Sequence, residues 1–242
     1  MTHSWAFTLL FAFAALQATL LATSIYMHRS LAHSALKLSP LVAWFFRLEL
    51  WLGIAVKPRE WVAVHRKHHR FSDEAGDPHS PKREGLWHIT LGNYFYYRRE
   101  IGNRSTVAEF AKDLKRDSWD RALFDRDKLG LFLGVVIFSL VLGWVAGPLT
   151  YLTQGLMYIL LSGVVNGICH RIGYKNFDNL ATNLPPAGWL IAGEGWHNNH
   201  HGHPESPKFS VRAFEFDPSW PVIRILTLIG LATHRAPAVY RA

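Results

Sequence analysis

The stretch GEGWHNNHH, residues 193–201, holds three histidines at positions i, i+3 and i+4: His197, His200 and His201. On a helix these positions share one face, with neighbouring side chains about 5–6 Å apart. Three imidazoles placed in this way can reach one metal ion or two adjacent ions. The stretch therefore predicts a metal-binding helix.

The same spacing occurs earlier in the chain, within HRKHH, and a looser pair occurs within HRSLAH. These two boxes contribute His28, His33, His65, His68 and His69. Two HxxHH clusters and an HxxxxH pair form a specific signal, provided that the fold brings them to one place. An i, i+5 pair is rotated by about 140° on a regular α-helix. We therefore expect His28 to end a helix and His33 to lie in the next turn.

Composition narrows the kind of protein. The chain has 242 residues, which suits one sizeable domain, and 49% of them are apolar. Cys169 is the only cysteine, so an intramolecular disulfide and a CxxC metal site are excluded. Any metal must therefore be bound mainly by histidine.

Three apolar stretches without charged residues predict membrane spans at 5–27, 129–146 and 149–169. Each approaches or exceeds the ~20 residues that cross a bilayer. The first lacks the basic start of a signal peptide. Gly147-Pro148 is a turn signal, so the second and third spans are predicted to form a hairpin.

Two further apolar stretches suit the membrane interface better. Residues 38–56 carry Arg47 and Glu49, each costing roughly 2.5–3.5 kcal/mol at the centre of a span. Crossing there would also separate the first two histidine boxes, so an interfacial or re-entrant helix is predicted. Residues 221–233 are too short to cross. The expected fold is an all-α integral membrane protein, a single domain over 1–242 with a cytoplasmic, histidine-rich helical cap.

The distribution of basic residues tests this topology. Residues 28–128 hold 19 Lys and Arg and residues 171–242 hold 7, which together account for all 26. The positive-inside rule then places every histidine box in the cytoplasm. The net charge of +8 therefore reflects membrane orientation and contact with anionic lipid, and no nucleic-acid partner is expected.

His170 emerges from the third span on the same side and adds a ninth imidazole. Nine neutral imidazoles exceed the needs of one ion, so two metals are expected. Asn166 lies one turn before His170 and could hold a metal-bound water. Carboxylates near the boxes are expected to orient the rings, and His79 could do the same. The candidate carboxylates are Glu60, Asp73, Asp77 and Glu194.

The motifs HRSLAH, HRKHHRFSDEAGDPHSP, NGICH and GEGWHNNHH resemble those of the membrane fatty-acid desaturases, in the acyl-CoA (stearoyl-CoA, delta-9) first-desaturase branch. The resemblance runs from about Ser24 to Ala232. It implies two iron ions bound by the nine histidines, with Asn166 holding one iron through water and no catalytic residue apart from these ligands. It also implies insertion of a cis double bond into a saturated acyl chain, with O2 as co-substrate and two electrons.

Three departures from the family pattern limit what the resemblance implies. The family commonly has two spans before the first box, where this chain has one, so an upstream helix is possible. Acyl-CoA users carry an arginine two residues before the second box, where this chain has Ala63. Arg98 and Arg99 remain candidates for a CoA or lipid phosphate. Without a fused electron-carrier domain, a separate ferredoxin- or cytochrome-like donor with its reductase is expected.

The acyl chain is expected to enter a tunnel between the spans. Trp61, four residues before His65, matches a family tryptophan that lines such a tunnel. The first span also carries a stripe of small residues at Ala12, Ala15, Thr19 and Thr23. Close helix packing is the favoured interpretation of this stripe, and lining of the tunnel is the alternative.

Two other functions fit parts of the pattern. An acyl hydroxylase or another oxygenase would keep the metals and yield an oxygenated product. A non-catalytic membrane module for metal or electron transfer would use the histidines without chemistry on a lipid. A haem module would need histidines within the spans, whereas the spans hold none away from their cytoplasmic ends.

Overall fold

The computed structural model describes residues 4–234, so the ends of the predicted 1–242 domain, residues 1–3 and 235–242, lie outside the described residues. The described chain is mostly helical. Its α-helices are α1 (Trp5–Ala22), α2 (Pro40–Gly53), α3 (Pro58–Phe71), α4 (Pro81–Glu84), α5 (Leu86–Ile101), α6 (Arg104–Phe110), α7 (Asp127–Leu142), α8 (Ala146–Asn166), α9 (Pro185–Leu190), α10 (His197–Gly202) and α11 (Ser219–Leu228). Two π-helical segments (Thr23–Ala32 and Asp120–Phe124), a 3-10 turn (Ile168–His170) and two strands, β1 (Leu36–Leu38) and β2 (Ala232–His234), complete it.

The first long helix is apolar and largely exposed. Ser4 caps α1 by accepting a hydrogen bond from the backbone N–H of Phe7 at 3.3 Å. The helix continues without a break into the π-helical segment, so that Trp5–Ala32 forms one rod, whose apolar window has a mean hydropathy of 1.8. Only 17% of its apolar window is buried. The core helix of a soluble protein is mostly buried, so this rod suits an apolar solvent.

Helices α7 and α8 pack together as the predicted hairpin, but the turn lies earlier than expected. Helix α7 ends at Leu142, and Gly143 takes a positive φ of +89° to reverse the chain. The prediction of a turn at Gly147-Pro148 was wrong. Pro148 lies in the first turn of α8, where its missing N–H needs no partner. A Cβ at Gly147 would lie 2.5 Å from the Ser139 backbone, so this glycine allows close packing.

Helix α8 is the central element of the fold because it packs against α1, α5 and α7. With the following 3-10 turn it spans Ala146–His170, and its apolar window has a mean hydropathy of 1.4. This helix and the Trp5–Ala32 rod are the two in the described chain that are long and apolar enough to cross a membrane. Helix α7 is shorter, at 16 residues, but its Phe132 and Leu140 side chains are exposed in the same manner.

Helix α2 brings its two charged residues into contact with the protein. It lies against α1 and α7. Arg47 forms ion pairs with Asp117 and Asp120 at 2.7 and 2.5 Å, and Glu49 accepts a hydrogen bond from Thr19 at 2.9 Å. Thr19 precedes the first histidine box by nine residues, about 13 Å of helix. Glu49 of α2 therefore lies about 13 Å from the first histidine box, measured along the first rod. The chain then returns toward the histidine boxes in α3.

A small antiparallel sheet was not expected from an all-α prediction. Strand β1 pairs with β2 in the register Leu36↔His234 and Leu38↔Ala232. Leu36, Leu38 and Ala232 are buried in one core cluster with Ile25. The sheet therefore joins the end of the first rod to the C-terminal segment that follows α11.

Candidate metal centre

The HxxxxH pair lies on the π-helical continuation of α1. The backbone N–H of His33 donates to the carbonyl of His28 at 3.2 Å, which is an i→i+5 hydrogen bond. This wider turn brings the two imidazole rings to the same side, with centroids 5.0 Å apart. The expectation that His28 ends the helix was wrong, because the π-helical turns continue to Ala32, and His33 lies just beyond the last helical residue as its C-terminal cap.

The asparagines and the histidines of α10 have different partners. Asn198 accepts hydrogen bonds from the backbone N–H groups of Asn176 and Phe177 at 2.7 and 2.9 Å. Asn199 donates to the Glu215 carboxylate at 2.9 Å. Both asparagines are fully buried. They anchor a helix of only six residues and leave its imidazoles free to face the other boxes.

All nine predicted histidines come together in two groups. We call the larger group the first cluster. It draws on the π-helical segment, α3 and α10, and the ligand nitrogens of its members lie within 4.8 Å of one another. The Nε2–Nε2 distances are 2.9 Å from His28 to His200, 2.8 Å from His33 to His65 and 3.0 Å from His200 to His69. Its members are His28, His33, His65, His69 and His200.

The second cluster draws on α3, the 3-10 turn after α8, and α10. Its nitrogens also lie within 4.8 Å of one another. His197 Nε2 lies 2.9 Å from His170 Nε2 and 3.1 Å from His201 Nε2. The members are His68, His170, His197 and His201.

These distances fit metal ligation. Two nitrogens that each lie about 2.1 Å from one ion and at right angles are about 3.0 Å apart. Hydrogen bonding alone cannot satisfy the same contacts. His200 Nε2 faces the Nε2 atoms of both His28 and His69, and one ring nitrogen carries either a proton or a lone pair, so it serves only one of them well. A cation among the lone pairs satisfies all of them.

Three of the four predicted carboxylates contact cluster histidines. Asp77 lies 3.0 Å from Nδ1 of His68 and Asp73 lies 3.0 Å from Nδ1 of His170. Glu194 lies 2.6 Å from Nδ1 of His28. A carboxylate on Nδ1 fixes the tautomer that leaves Nε2 as a bare lone pair. Each of these rings is therefore prepared to bind a cation through Nε2.

The protonation of the site follows from burial. Burial lowers the pKa of His65, His69 and His200 well below the usual range, and the neighbouring imidazoles lower it further. These rings are neutral at neutral pH, as metal ligands must be. Burial alone would raise the pKa of Asp77, but its hydrogen bond with His68 outweighs burial and lowers it.

A buried ion pair lies behind the first cluster and was not predicted. Arg29 is fully buried, and its Nη2 donates to Asp217 at 2.8 Å. Its guanidinium also lies 3.6 Å from Glu194 and stacks over Phe209. Arg29 stands inside the HRSLAH motif and could have been found there, but Asp217 is 188 residues away and no local pattern points to it.

Asn166 lies on the cavity wall, four residues before His170 of the second cluster. Its Nδ2 donates to Oδ1 of Asn93 on α5 at 2.9 Å. Both side chains line the same cavity as His65. Asn93 holds the Asn166 amide and was also missed from the sequence, since an asparagine in LGNYFYY has no distinctive spacing.

A cavity of about 520 Å³ runs up to the centre, a volume typical of small-molecule sites. It follows α8 from Pro148 to Asn166, a helical rise of about 27 Å. At its inner end Trp61 stacks on His65, with ring centroids 4.8 Å apart. The remaining wall is mostly apolar. It includes Leu20, Thr23, Ile54, Tyr97, Leu131, Val135, Leu152, Leu156, Tyr158 and Ile159.

The other predicted site residues lie elsewhere. Thr23 lines the cavity and hydrogen-bonds the Tyr158 hydroxyl at 3.1 Å, whereas Thr19 hydrogen-bonds Glu49 and Gln154 behind it. Glu60 lines a different, charge-balanced cavity of about 730 Å³ that holds none of the cluster histidines.

Arg98 and Arg99 are exposed at the end of α5. Arg99 lies over the Tyr96 ring and 3.9 Å from the Glu84 carboxylate. Arg98 follows Tyr97, which lines the cavity. The two arginines therefore stand beside the cavity but outside it.

The chain is similar to a known family of proteins. The family profile described as "Fatty acid desaturase" matches residues 3–224. The icosanoyl-CoA 5-desaturase of Limnanthes douglasii is 32% identical over 243 residues, which cover 96% of this chain and 65% of that protein. The delta-9 acyl-lipid desaturase 1 of Arabidopsis thaliana is 34% identical over 224 residues, which cover 88% of this chain and 70% of that protein.

A cyanobacterial protein is similar as well. The sn-1 stearoyl-lipid 9-desaturase of Anabaena variabilis is 29% identical and covers 88% of this chain. The chain spans about two thirds of the length of the plant relatives. The family match and the exposed apolar helices make the chain an integral membrane protein, and it belongs to the fatty acid desaturase family.

Proposed function

We propose that this chain is an O2-dependent fatty acyl desaturase. It removes two hydrogens from adjacent methylenes of a saturated acyl chain and leaves a cis double bond. The two hydrogens, two electrons and two further protons reduce O2 to two waters. The observation that carries the proposal is that one mostly apolar cavity reaches His65 of the first cluster and His79, whose ring stacks on His68 of the second.

The nine histidines would hold two iron ions, five at the first cluster and four at the second. Asn166 would hold the second iron through a water. The donor set is consistent with this, since imidazole suits iron and every close contact joins Nε2 atoms. Iron bound there would activate O2, the oxidant that breaks the two C–H bonds.

The protein's own residues position and isolate the reaction. Asp73, Asp77 and Glu194 hold the ligand rings through Nδ1. The Trp61 ring covers His65 and narrows the inner end of the cavity, so a chain lying there is held with a fixed methylene pair beside the centre. The apolar wall excludes water from that position.

The topology that we propose has three membrane spans. They correspond to the Trp5–Ala32 rod, α7 and α8, and the helices near 38–56 and 221–233 lie at the interface. The positive-inside distribution of Lys and Arg supports a position of the clusters on the cytoplasmic face. Residues 1–242 then form one desaturase domain.

Substrate head group and reductant follow from the surroundings of the site. The relatives named above act on acyl-CoA or on acyl lipids, and we propose one of these two carriers for this chain. The exposed Arg98 and Arg99 are suited to a phosphate of either. The electrons come from a separate ferredoxin- or cytochrome-like protein, which the basic cytoplasmic face would attract.

Metal content is the first test. Protein purified in detergent should hold about two irons per chain, and His200→Ala should abolish desaturation because His200 joins two Nε2 contacts of the first cluster. His88→Ala is the matched control, since His88 is exposed on α5. Wild-type protein without iron, or an active His200→Ala variant, would contradict the proposal.

Product analysis tests the reaction. The chain should be expressed in a host that lacks its own desaturase, and the positions of double bonds in total fatty acids should be mapped by mass spectrometry. A new alkene without added oxygen supports desaturation. An alcohol would instead show an acyl hydroxylase. Unchanged fatty acids with a reduced donor present would favour a non-catalytic metal module.

A further inference from the structure

His79 is a buried histidine outside both clusters. It lies in the loop between α3 and α4, within DPH, and is 4% exposed. Its Nε2 is buried and has no hydrogen-bond partner among residues 4–234. A buried polar atom without a partner is costly, which makes an unassigned ligand the natural explanation.

The His79 ring is held in place by the second cluster. It stacks on His68 with centroids 4.6 Å apart and an interplanar angle of 23°. The backbone N–H of His79 donates to Asp77 at 3.0 Å, and the same carboxylate contacts Nδ1 of His68. One carboxylate therefore fixes both the cluster ring and the ring stacked on it.

His79 is a neighbour of the second cluster and is not one of its members. It is not among the four grouped histidines. Its own group, with His68 and Asp77, includes a carboxylate already engaged on Nδ1 of His68.

The cavity supplies the space that His79 faces. His79, Asn93 and Asn166 all line the cavity, and the Glu194 carboxylate lines it as well. Because Asn166 donates to Asn93 through Nδ2, its own Oδ1 is left to accept another hydrogen bond. The wall therefore offers an amide oxygen and an imidazole nitrogen beside the four-histidine cluster.

We propose that His79 and Asn166 bound a subsite for one small polar ligand, such as water or azide, beside the second cluster. His79 is the positioning residue that hydrogen-bonds this ligand through Nε2. The inference rests on the proposed function, since the ligand is held jointly with the iron of that cluster. His79 is then a tenth histidine at the centre, which binds the small ligand and not an iron.

The test is azide binding to protein that has been loaded with two irons per chain, measured by visible absorption in detergent. His79→Phe keeps the stacked ring and removes both nitrogens. His79→Gln restores a polar atom near the Nε2 position, and His79→Asn reaches the Nδ1 position only. His88→Phe is the matched control on exposed α5.

We expect His79→Phe and His79→Asn to weaken azide binding about tenfold, the effect of one lost hydrogen bond in a buried site, with iron content unchanged. His79→Gln and His88→Phe should bind like the wild type. If His79→Phe does not fold, the contrast between Asn and Gln at this position decides the question.

Three results would overturn the inference. Equal azide affinity in all variants would show that Nε2 contacts no ligand. Loss of one iron in the Phe and Asn variants would show that His79 is a metal ligand. A wild-type protein that holds two irons but binds no azide would show that there is no subsite. Failure of the wild type to hold iron would instead remove the proposed function itself.

Discussion

The two clusters are built from the same two helices in opposite proportions. Helix α3 gives an i, i+4 pair to the first cluster and one histidine to the second, whereas α10 gives one to the first and an i, i+4 pair to the second. The first cluster gains two more from the π-helical segment and the second gains His170. An HxxHH box therefore lets one helix contribute histidines to both clusters. Each cluster needs histidines from both helices.

The clusters differ in number and in surroundings. The first has five imidazoles, and the buried Arg29–Asp217 pair lies behind it. The second has four imidazoles and adjoins the polar cavity wall of Asn166 and His79. The first cluster thus has a more complete set of protein ligands, and the second leaves more room for a small molecule. We infer that the second is the more sensitive to loss of a ligand.

Removing one histidine from each cluster gives the largest expected difference. His197→Ala reduces the second cluster to three imidazoles, and we expect about one iron per chain and no detectable desaturation. His33→Ala leaves four in the first cluster, and at saturating iron it should still hold two. Iron analysis and fatty-acid chromatography measure both. Equal iron loss in the two variants would show that the clusters are equivalent.

The ion pair behind the first cluster is expected to have the next largest effect. Arg29 and Asp217 are both fully buried, so Arg29→Met leaves Asp217 without its partner and should cost about 3–5 kcal/mol of stability. Asp217→Asn should give a loss of the same kind. Thermal unfolding in detergent measures this, with Arg224→Met on exposed α11 as the control. If Arg29→Met unfolded at the same temperature as the wild type, the ion pair would not stabilise the fold.

Neutralising one carboxylate at each cluster should weaken iron binding at that cluster alone, with a smaller effect than loss of a histidine. Asp77→Asn removes the charge from Nδ1 of His68, and Glu194→Gln does the same for His28. Loss of such a partner lowers metal affinity about 10–100-fold. Iron titration with a competing chelator should show weakening at the second cluster in the first variant and at the first cluster in the second. Weakening of both sites in either variant would mean that the clusters share one ligand network.

The sequence identifies the nine histidine ligands, but it does not show which of them belong to which cluster. The spacing of His197, His200 and His201 is local and helical, so one shared face follows from any regular helix. Which of the three serves which cluster depends on how α10 crosses α3, and no local pattern encodes that. The HxxxxH spacing did indicate a π-helix, because π-helical hydrogen bonds join residues five apart and bring both imidazole rings to one side, which an α-helix does not.

The hairpin shows a second limit. The sequence predicts the turn at Gly147-Pro148, whereas the structure has it at Gly143, four residues earlier. Packing decides between them: a side chain at Gly147 would collide with Ser139, so the glycine serves helix contact, and Gly143 makes the turn. Asp217 illustrates the extreme case, because its role depends on a contact across 188 residues.

The smallest expected effect concerns the cavity that both clusters adjoin. A Cβ at Gly155 on α8 would meet no heavy atom within 4 Å, and Gly155 lines the cavity between Leu152 and Leu156. Gly155→Leu should fill part of this space and shift products toward shorter acyl chains, with iron content unchanged. Replacing a glycine inside a helix also favours the helix by up to about 1 kcal/mol, so the fold should tolerate it.

Ala18→Leu is the matched control for Gly155→Leu, because Ala18 is exposed on α1 and the α1 wall of the cavity is formed by Leu20 and Thr23. Gas chromatography of fatty acids from cells fed mixed chain lengths measures the shift. A changed profile in Gly155→Leu alone would show that the acyl chain lies along α8 as far as this residue. An unchanged profile in an active variant would place the chain elsewhere, and the clusters would then have to be reached from another side.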